Sequence, residues 1–295
     1  MSKEIFRGIG TALITPFDEK GIDYESYGRL IDWQIESGVS ALITCATTGE
    51  APTLTEQEHK EAIEFTVKRA AGRVAVVAGT GSNCTKHAIE LAKFASDVGA
   101  DAALVVTPYY NKATQDGLVA HFSAIADASS IPLILYNVPS RTGCGIQPQT
   151  YAKLARHENI RAVKEANGDI SKIVESIALA GDKLDFYSGN DDQIVPIMAM
   201  GGKGCISVLS NVVPREASEI CEKFFAGDIA GAAALQCKFV KLVKALFSEV
   251  NPIPAKAALA TMGLCEDRLR LPMTPMESAN REKLLEAMRE VGVRV

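Results

Sequence analysis

The chain has no Cys-x-x-Cys pair, although it carries seven cysteines, at positions 45, 84, 144, 205, 221, 237 and 265. An odd, dispersed set suggests neither a disulfide framework nor a thiolate zinc site, and the thiols are expected to be reduced. The four histidines, at 59, 87, 121 and 157, lack the H-E-x-x-H or H-x-E spacing of a catalytic metal site. No metal is required by this pattern. No stretch approaches the ~20 apolar residues of a membrane span, and the N-terminus has no cationic lead into an apolar core. The expectation is a soluble, cytoplasmic protein. A basic stripe interleaved with aromatics is also missing and the net charge is −5, which argues against a nucleic-acid partner and for small-molecule ones.

Linkers rich in Pro, Gly or Ser, charge blocks and low-complexity tracts are absent too, while hydrophobic residues make up 47% and charged residues 23%, close to a globular average. A chain of 295 residues buries roughly 75% of its unfolded surface and fits one large domain with a small appendage. The dinucleotide fingerprint is incomplete, since Gly8-Ile-Gly10-Thr-Ala-Leu13 and Gly79-Thr-Gly81-Ser-Asn-Cys84 both miss the third glycine. There is no Walker A loop either.

What is present is a repeat of short apolar runs: Gly10–Ile14, Ala41–Thr44, Val74–Ala78, Ala102–Thr107, Leu133–Asn137, Ile160–Lys164, Asp185–Ser188 and Gly204–Val208. Between them lie segments with apolar residues at three- and four-residue spacing, near 23–37, 55–71, 85–98, 116–128, 148–156, 170–180, 191–200 and 214–226. Thr55-Glu-Gln-Glu58 forms a capping box at the start of the second helix. Apolar strands alternating with helices imply parallel pairing covered on both faces, and eight such units favour a closed (β/α)8 barrel over a doubly wound sheet. After about residue 227 the alternation stops, and 228–249, 252–263 and 278–291 read as helices. The expected organisation is an α/β barrel over 1–227 and a small C-terminal helical domain over 228–295.

Active sites of such barrels form where the strands end, so the residues that follow each run carry the interest. The second run delivers Thr47-Thr48-Gly49-Glu50, the fourth Thr107-Pro108-Tyr109-Tyr110-Asn111, the fifth Tyr136-Asn137-Val138-Pro139 with Arg141, the sixth Lys164, and the seventh Ser188-Gly189-Asn190. Each alone has a structural reading: lysines often end strands by reaching solvent, tyrosines pack, and arginines form surface ion pairs. Together they suggest chemistry. A lysine is a poor nucleophile at neutral pH, with a pKa of about 10.4, but at the mouth of a dry strand it can lose its charge and attack a carbonyl. A nearby phenol can move protons, a Thr-rich turn offers hydroxyls and N–H groups to a carboxylate, and the fork of Arg141 matches another.

These motifs, with Gly10-Thr-Ala-Leu-Ile-Thr-Pro16 and Leu271-Pro-Met-Thr-Pro275, resemble the dihydrodipicolinate synthase family of pyruvate-dependent class I aldolases over essentially the full length. The resemblance implies that pyruvate condenses with L-aspartate-4-semialdehyde through an imine on Lys164, without metal or organic cofactor. It implies a proton-carrying triad of Tyr136, Thr47 and Tyr110, the last reaching a neighbouring subunit, and a homotetramer built as a dimer of dimers. Thr48 and Gly49 are expected at the pyruvate carboxylate, Arg141 at the semialdehyde carboxylate, and Gly189 and Ile206 on the pocket wall. The alternatives are an aldolase cleaving N-acetylneuraminate or a 2-keto-3-deoxy sugar acid, or a non-catalytic pyruvate sensor.

The family's inhibitor site for L-lysine falls on Ala51, Pro52, Glu56, His59, Asn83, His87 and Tyr109. His59, Asn83 and Tyr109 match the sensitive pattern, but Ala51 replaces a serine, Glu56 a histidine, and His87 the glutamate that pairs with the ligand's ammonium. The resemblance therefore implies weak or absent inhibition by L-lysine.

Overall fold

The computed structural model describes residues 4–295; residues 1–3 of the N-terminal segment read above lie outside them. Eight parallel strands close into a barrel in sequence order: β1 (Gly8–Ala12), β2 (Ala41–Thr44), β3 (Ala75–Gly79), β4 (Ala102–Val106), β5 (Leu133–Asn137), β6 (Ile160–Glu165), β7 (Asp185–Ser188) and β8 (Gly204–Ser207). Every residue of β1, β2, β5 and β8 is buried, as expected of strands covered on both faces. The first strand begins two residues earlier than the sequence suggests. Gly8 and Ile9 pair with Gly204 and Cys205 of β8 and complete the ring, while Leu13 only continues the hydrogen bonding to Ile43 at 3.0 Å.

The surrounding helices are α1 (Tyr24–Glu36), α2 (Glu56–Ala70), α3 (Thr85–Asp97), α4 (Gln115–Ala128), α5 (Pro139–Thr142), α6 (Pro148–Leu154), α7 (Ile170–Ala180), α8 (Ile194–Ala199) and α9 (Pro214–Phe225). Local chemistry sets their starts. Thr55 and Glu58 form the expected capping box on α2, with the Glu58 N–H donating to Thr55 Oγ1 at 3.2 Å and the Thr55 N–H donating to Glu58 Oε2 at 2.9 Å. Asp23, Thr114 and Asp169 cap α1, α4 and α7 through their side chains. The four-residue α5 was not foreseen; it begins at Pro139 and ends at Gly143, whose φ of 64° suits glycine.

Small residues fill the barrel interior, where Ala12, Ala41, Ala102 and Ala162 pack with Ile43, Val77, Leu104, Ile134, Tyr136, Tyr187 and Ile206. Its N-terminal end is plugged by Phe6 stacked on Tyr187, with ring centroids 4.2 Å apart. Gly10 makes room for this plug: a Cβ there would lie 2.6 Å from Ile43 Cδ1 and 2.9 Å from the Phe6 ring.

Beyond Gly227 the chain forms α10 (Ile229–Lys238), α11 (Val240–Leu246), α12 (Ile253–Thr261) and α13 (Ser278–Glu290). The expected helix 228–249 is broken at Phe239, which leaves the helical conformation (φ −90°, ψ 0°) and buries its ring. These helices share one hydrophobic core with the barrel, in which Phe239, Leu242, Leu259 and Met288 join Leu30, Ile31, Ile194 and Val213. A polar bond reaches further. Lys256 on α12 is fully buried and paired with Glu50, whose other carboxylate oxygen accepts the Arg270 N–H at 3.1 Å. Lys256 Nζ also donates to the Arg268 carbonyl at 2.9 Å.

Removing one partner of a dry ion pair leaves an uncompensated charge, which costs about 3–5 kcal/mol. Lys256→Met is therefore expected to lower the unfolding free energy in urea by about that amount, and adding Glu50→Gln to restore most of it. Equal losses in the single and double variants would contradict the coupling.

Candidate active site

The site is organised by how β5 lies against β6. Leu133 pairs with Ile160, but Ile134 pairs with Ala162, so the register shifts by one residue and Arg161 is left over. From there Tyr136 stands opposite Lys164 and Asn137 opposite Glu165. Ile134, Tyr136 and Ala162 belong to the barrel interior, whereas Leu133, Leu135 and Val163 face the outer helices. Lys164 continues the inward row at the C-terminal mouth.

Among the described residues two lysines are buried, Lys164 and Lys256. Lys256 is held by Glu50; Lys164 Nζ instead lies 4.3 Å from the centroid of the Tyr136 ring. A cavity of about 430 Å³ reaches Tyr136 and is lined also by Thr47, Arg141 and Thr142, among others. Arg141 is exposed on α5, with one guanidinium nitrogen 3.4 Å from the Asn251 carbonyl. That short helix is pinned underneath, since Thr107 Oγ1 lies 3.0 Å from both Thr142 Oγ1 and the Cys144 carbonyl, within hydrogen-bond reach of each.

Thr47, Thr48 and Gly49 occupy a tight turn after β2. The N–H groups of Gly49 and Glu50 donate to the carbonyls of Ala46 and Thr47, each at 3.1 Å, and Cys45 and Glu50 adopt φ of 52° and 55°. Such left-handed backbone at non-glycine residues costs on the order of 1–3 kcal/mol and persists where surroundings enforce it. Here the buried Glu50–Lys256 pair does so. Thr48 is buried, and its hydroxyl accepts from Asn251 Nδ2 at 3.0 Å. Asn251 thus touches both Thr48 and Arg141, a link missed in the sequence although the Asn251-Pro252 dipeptide stands out between two helices. Its Oδ1 is buried without a hydrogen-bond partner.

Gly189 packs against β6, donating its N–H to the Glu165 carbonyl at 2.7 Å, and a Cβ there would meet the Ala166 methyl at 2.7 Å. Ile206 is fully buried in the barrel interior. Tyr110 is not brought to the cavity: it is 93% exposed, on left-handed backbone with φ 68°. Of the residues expected to bind an inhibitor, Ala51, Pro52, Glu56, His59, His87 and Tyr109 line the same cavity as Thr47 and Tyr136. Asn83 instead offers its carbonyl to Asn111 Nδ2 at 2.9 Å. His59 is buried with Nε2 2.7 Å from the Gly79 carbonyl, and burial holds its imidazole below the usual range. Among the described residues no group of three or more His, Cys, Asp and Glu side chains is placed to hold a metal, and no helix is long and apolar enough to cross a membrane.

A closed barrel with a buried lysine beside a tyrosine at its C-terminal mouth fits the class of lyases built on such barrels. The comparisons narrow it. A profile of the dihydrodipicolinate synthetase family matches residues 5–291, and the chain belongs to that family. It is 52% identical over 292 residues to a 4-hydroxy-tetrahydrodipicolinate synthase of Caldicellulosiruptor bescii, covering 99% of each chain. Among solved structures, dihydrodipicolinate synthase from Aquifex aeolicus superposes with a TM-score of 0.96 at 47% identity, over 98% of this chain and 99% of the other. A monomeric dihydrodipicolinate synthase variant also matches, with a TM-score of 0.96, 42% identity and 98% coverage of both chains.

Glu165, next to the lysine, is a strongly perturbed carboxyl. Burial pushes it up to about 7, against hydrogen bonds from Tyr151 and Asn137 that pull it down. An acid raised on folding contributes stability that is full below its unfolded value of 4.5 and lost as pH rises through about 7. The stability difference between the parent and Glu165→Gln is therefore expected to shift against the parent across that window and to level off above it. A difference independent of pH would contradict the burial effect.

Proposed function

We propose that the protein is a 4-hydroxy-tetrahydrodipicolinate synthase, condensing pyruvate with L-aspartate-4-semialdehyde through an imine on Lys164. The observation that carries this reading is the placement of Lys164 Nζ over the ring of Tyr136, which itself lines a cavity together with Thr47 and Arg141. The uncharged amine attacks the pyruvate ketone, and the new C–N bond is completed as the former carbonyl oxygen leaves as water, protonated by Tyr136. The imine withdraws electrons, so a methyl proton can depart to give an enamine. Its carbon attacks the aldehyde, and the substrate's own amine then displaces Lys164 as the ring closes.

The hydroxyl and N–H of Thr48, beside Gly49, bind the pyruvate carboxylate, and Arg141 binds that of the semialdehyde. Gly189 and Ile206 form the wall near the imine. Thr47 passes protons between Tyr136 and Tyr110 of a second copy, in a homotetramer built as a dimer of dimers. Support for that assembly is the exposed, left-handed Tyr110, whose ring points away from the cavity that Tyr136 and Thr47 line. The reaction as written calls for no metal or organic cofactor.

Borohydride reduction in the presence of pyruvate is expected to add one pyruvyl group to Lys164 and abolish turnover of the semialdehyde. Tyr136→Phe should retain the fold and lose roughly 10²–10⁴-fold in kcat. No adduct at Lys164 overturns the mechanism, whereas an adduct without semialdehyde turnover points to a sugar-acid aldolase or a sensor.

Inhibition by L-lysine is expected to be weak or absent. Glu56 brings a carboxylate to the cavity, but Lys60 Nζ already holds it at 2.6 Å, and His87 supplies no negative charge for the ligand's ammonium. Activity should be essentially unchanged at about millimolar L-lysine, and half-inhibition well below that concentration would contradict this reading.

A further inference from the structure

Glu165 takes no part in the chemistry above, yet it has the most crowded set of donors near the site. It follows Lys164 on β6, is fully buried, and faces the outer helices with Leu135 and Val163. Asn137 Nδ2 donates to both its carboxylate oxygens, at 2.9 and 3.2 Å, the Tyr151 hydroxyl to Oε2 at 2.7 Å, and the Asn167 N–H to Oε1 at 3.0 Å. Asn137 in turn accepts the Ile146 N–H on Oδ1 at 3.0 Å. The main chain adds two ties: the Ala166 N–H donates to the Asn137 carbonyl at 2.9 Å, and the Gly189 N–H to the Glu165 carbonyl at 2.7 Å. The ends of β5, β6 and β7 and helix α6 therefore meet at one residue, the first and last through its side chain and β7 through its carbonyl.

We propose that Glu165, held by Asn137 and Tyr151, is a positioning residue that fixes Lys164 against Tyr136 at the barrel mouth. This rests on the reading of Lys164 as the imine-forming lysine. The clamp pair, Asn137 opposite Glu165, is the next rung after the reactive pair, Tyr136 opposite Lys164. An apolar side chain fills the outer face equally well, as Val163 does one turn of the pleat earlier, but it is indifferent to what stands opposite. The carboxylate is satisfied only when Asn137 is its partner, so its hydrogen bonds hold the strands in the one register that places the amine over the phenol ring. Burial of a group raised to about 7 fits a role in which direction matters more than stability.

The test compares Glu165→Gln, Tyr151→Phe, Tyr136→Phe and the Glu165→Gln/Tyr136→Phe double variant, each checked for fold by circular dichroism. The two clamp variants are expected to lose roughly tenfold or more in kcat, with the KM for pyruvate changed by less than about threefold. With Tyr136→Phe already present, Glu165→Gln should change kcat by less than about twofold, because there is no phenol left to position. If Glu165→Gln does not fold, Tyr151→Phe alone and with Tyr136→Phe carries the same comparison. Independent, multiplying effects in the double variant would overturn the proposal, as would folded clamp variants with unchanged kcat. Borohydride trapping of pyruvate on the parent protein is run alongside. A missing adduct there sinks the imine reading itself, whereas an adduct together with multiplying effects sinks the clamp alone.

Discussion

The site depends on a single surplus residue. Between Ile160 and Ala162 the β6 strand carries Arg161 without a partner on β5, and that shift sets every rung beyond it. Side chains on a strand alternate between faces, so a one-residue slip exchanges the two sets. Without the shift Tyr136 would face Val163, and Asn137 would face Lys164. With it, one rung brings the amine and the phenol together inside the barrel and the next brings a carboxylate and an amide together outside it.

Two buried charges then hold this geometry from opposite sides. Glu165 ties the strand ends on the β5–β7 side. On the other, Glu50 anchors the Thr47–Thr48 turn to Lys256 and Arg270, so the C-terminal helices act on the mouth of the barrel and do more than cover its flank. The turn needs this support because Cys45 and Glu50 both sit in left-handed backbone. Asn251, donating to Thr48 and accepting from Arg141, extends the same connection to α5.

The barrel was legible because strands buried on both faces read as unbroken apolar runs, and β2, β5 and β7 fall where those runs do. Misplaced limits arose where tertiary pairing decides them, as at Gly8 and Ile9, which become strand only by meeting β8. Lys164, Tyr136, Thr47 and Arg141 could be gathered because each follows an apolar run, and all end at one mouth. Asn251, Lys256 and the role of Glu165 could not. Their partners lie 203, 206 and 28 positions away in the chain, and no local pattern signals a bond at such a distance. The exposed position of Tyr110 was expected only through the family resemblance, since two adjacent tyrosines by themselves give no hint that one lines the cavity and the other leaves it.

The most direct test of this account is a crystal structure of the protein soaked with pyruvate. Continuous density from Lys164 Nζ to the second carbon of pyruvate, with the carboxylate against the Thr47–Thr48 turn and the Tyr136 hydroxyl within hydrogen-bond reach of the imine, is the predicted result. Pyruvate bound elsewhere, or an unmodified Lys164 beside an empty mouth at saturating pyruvate, would contradict it.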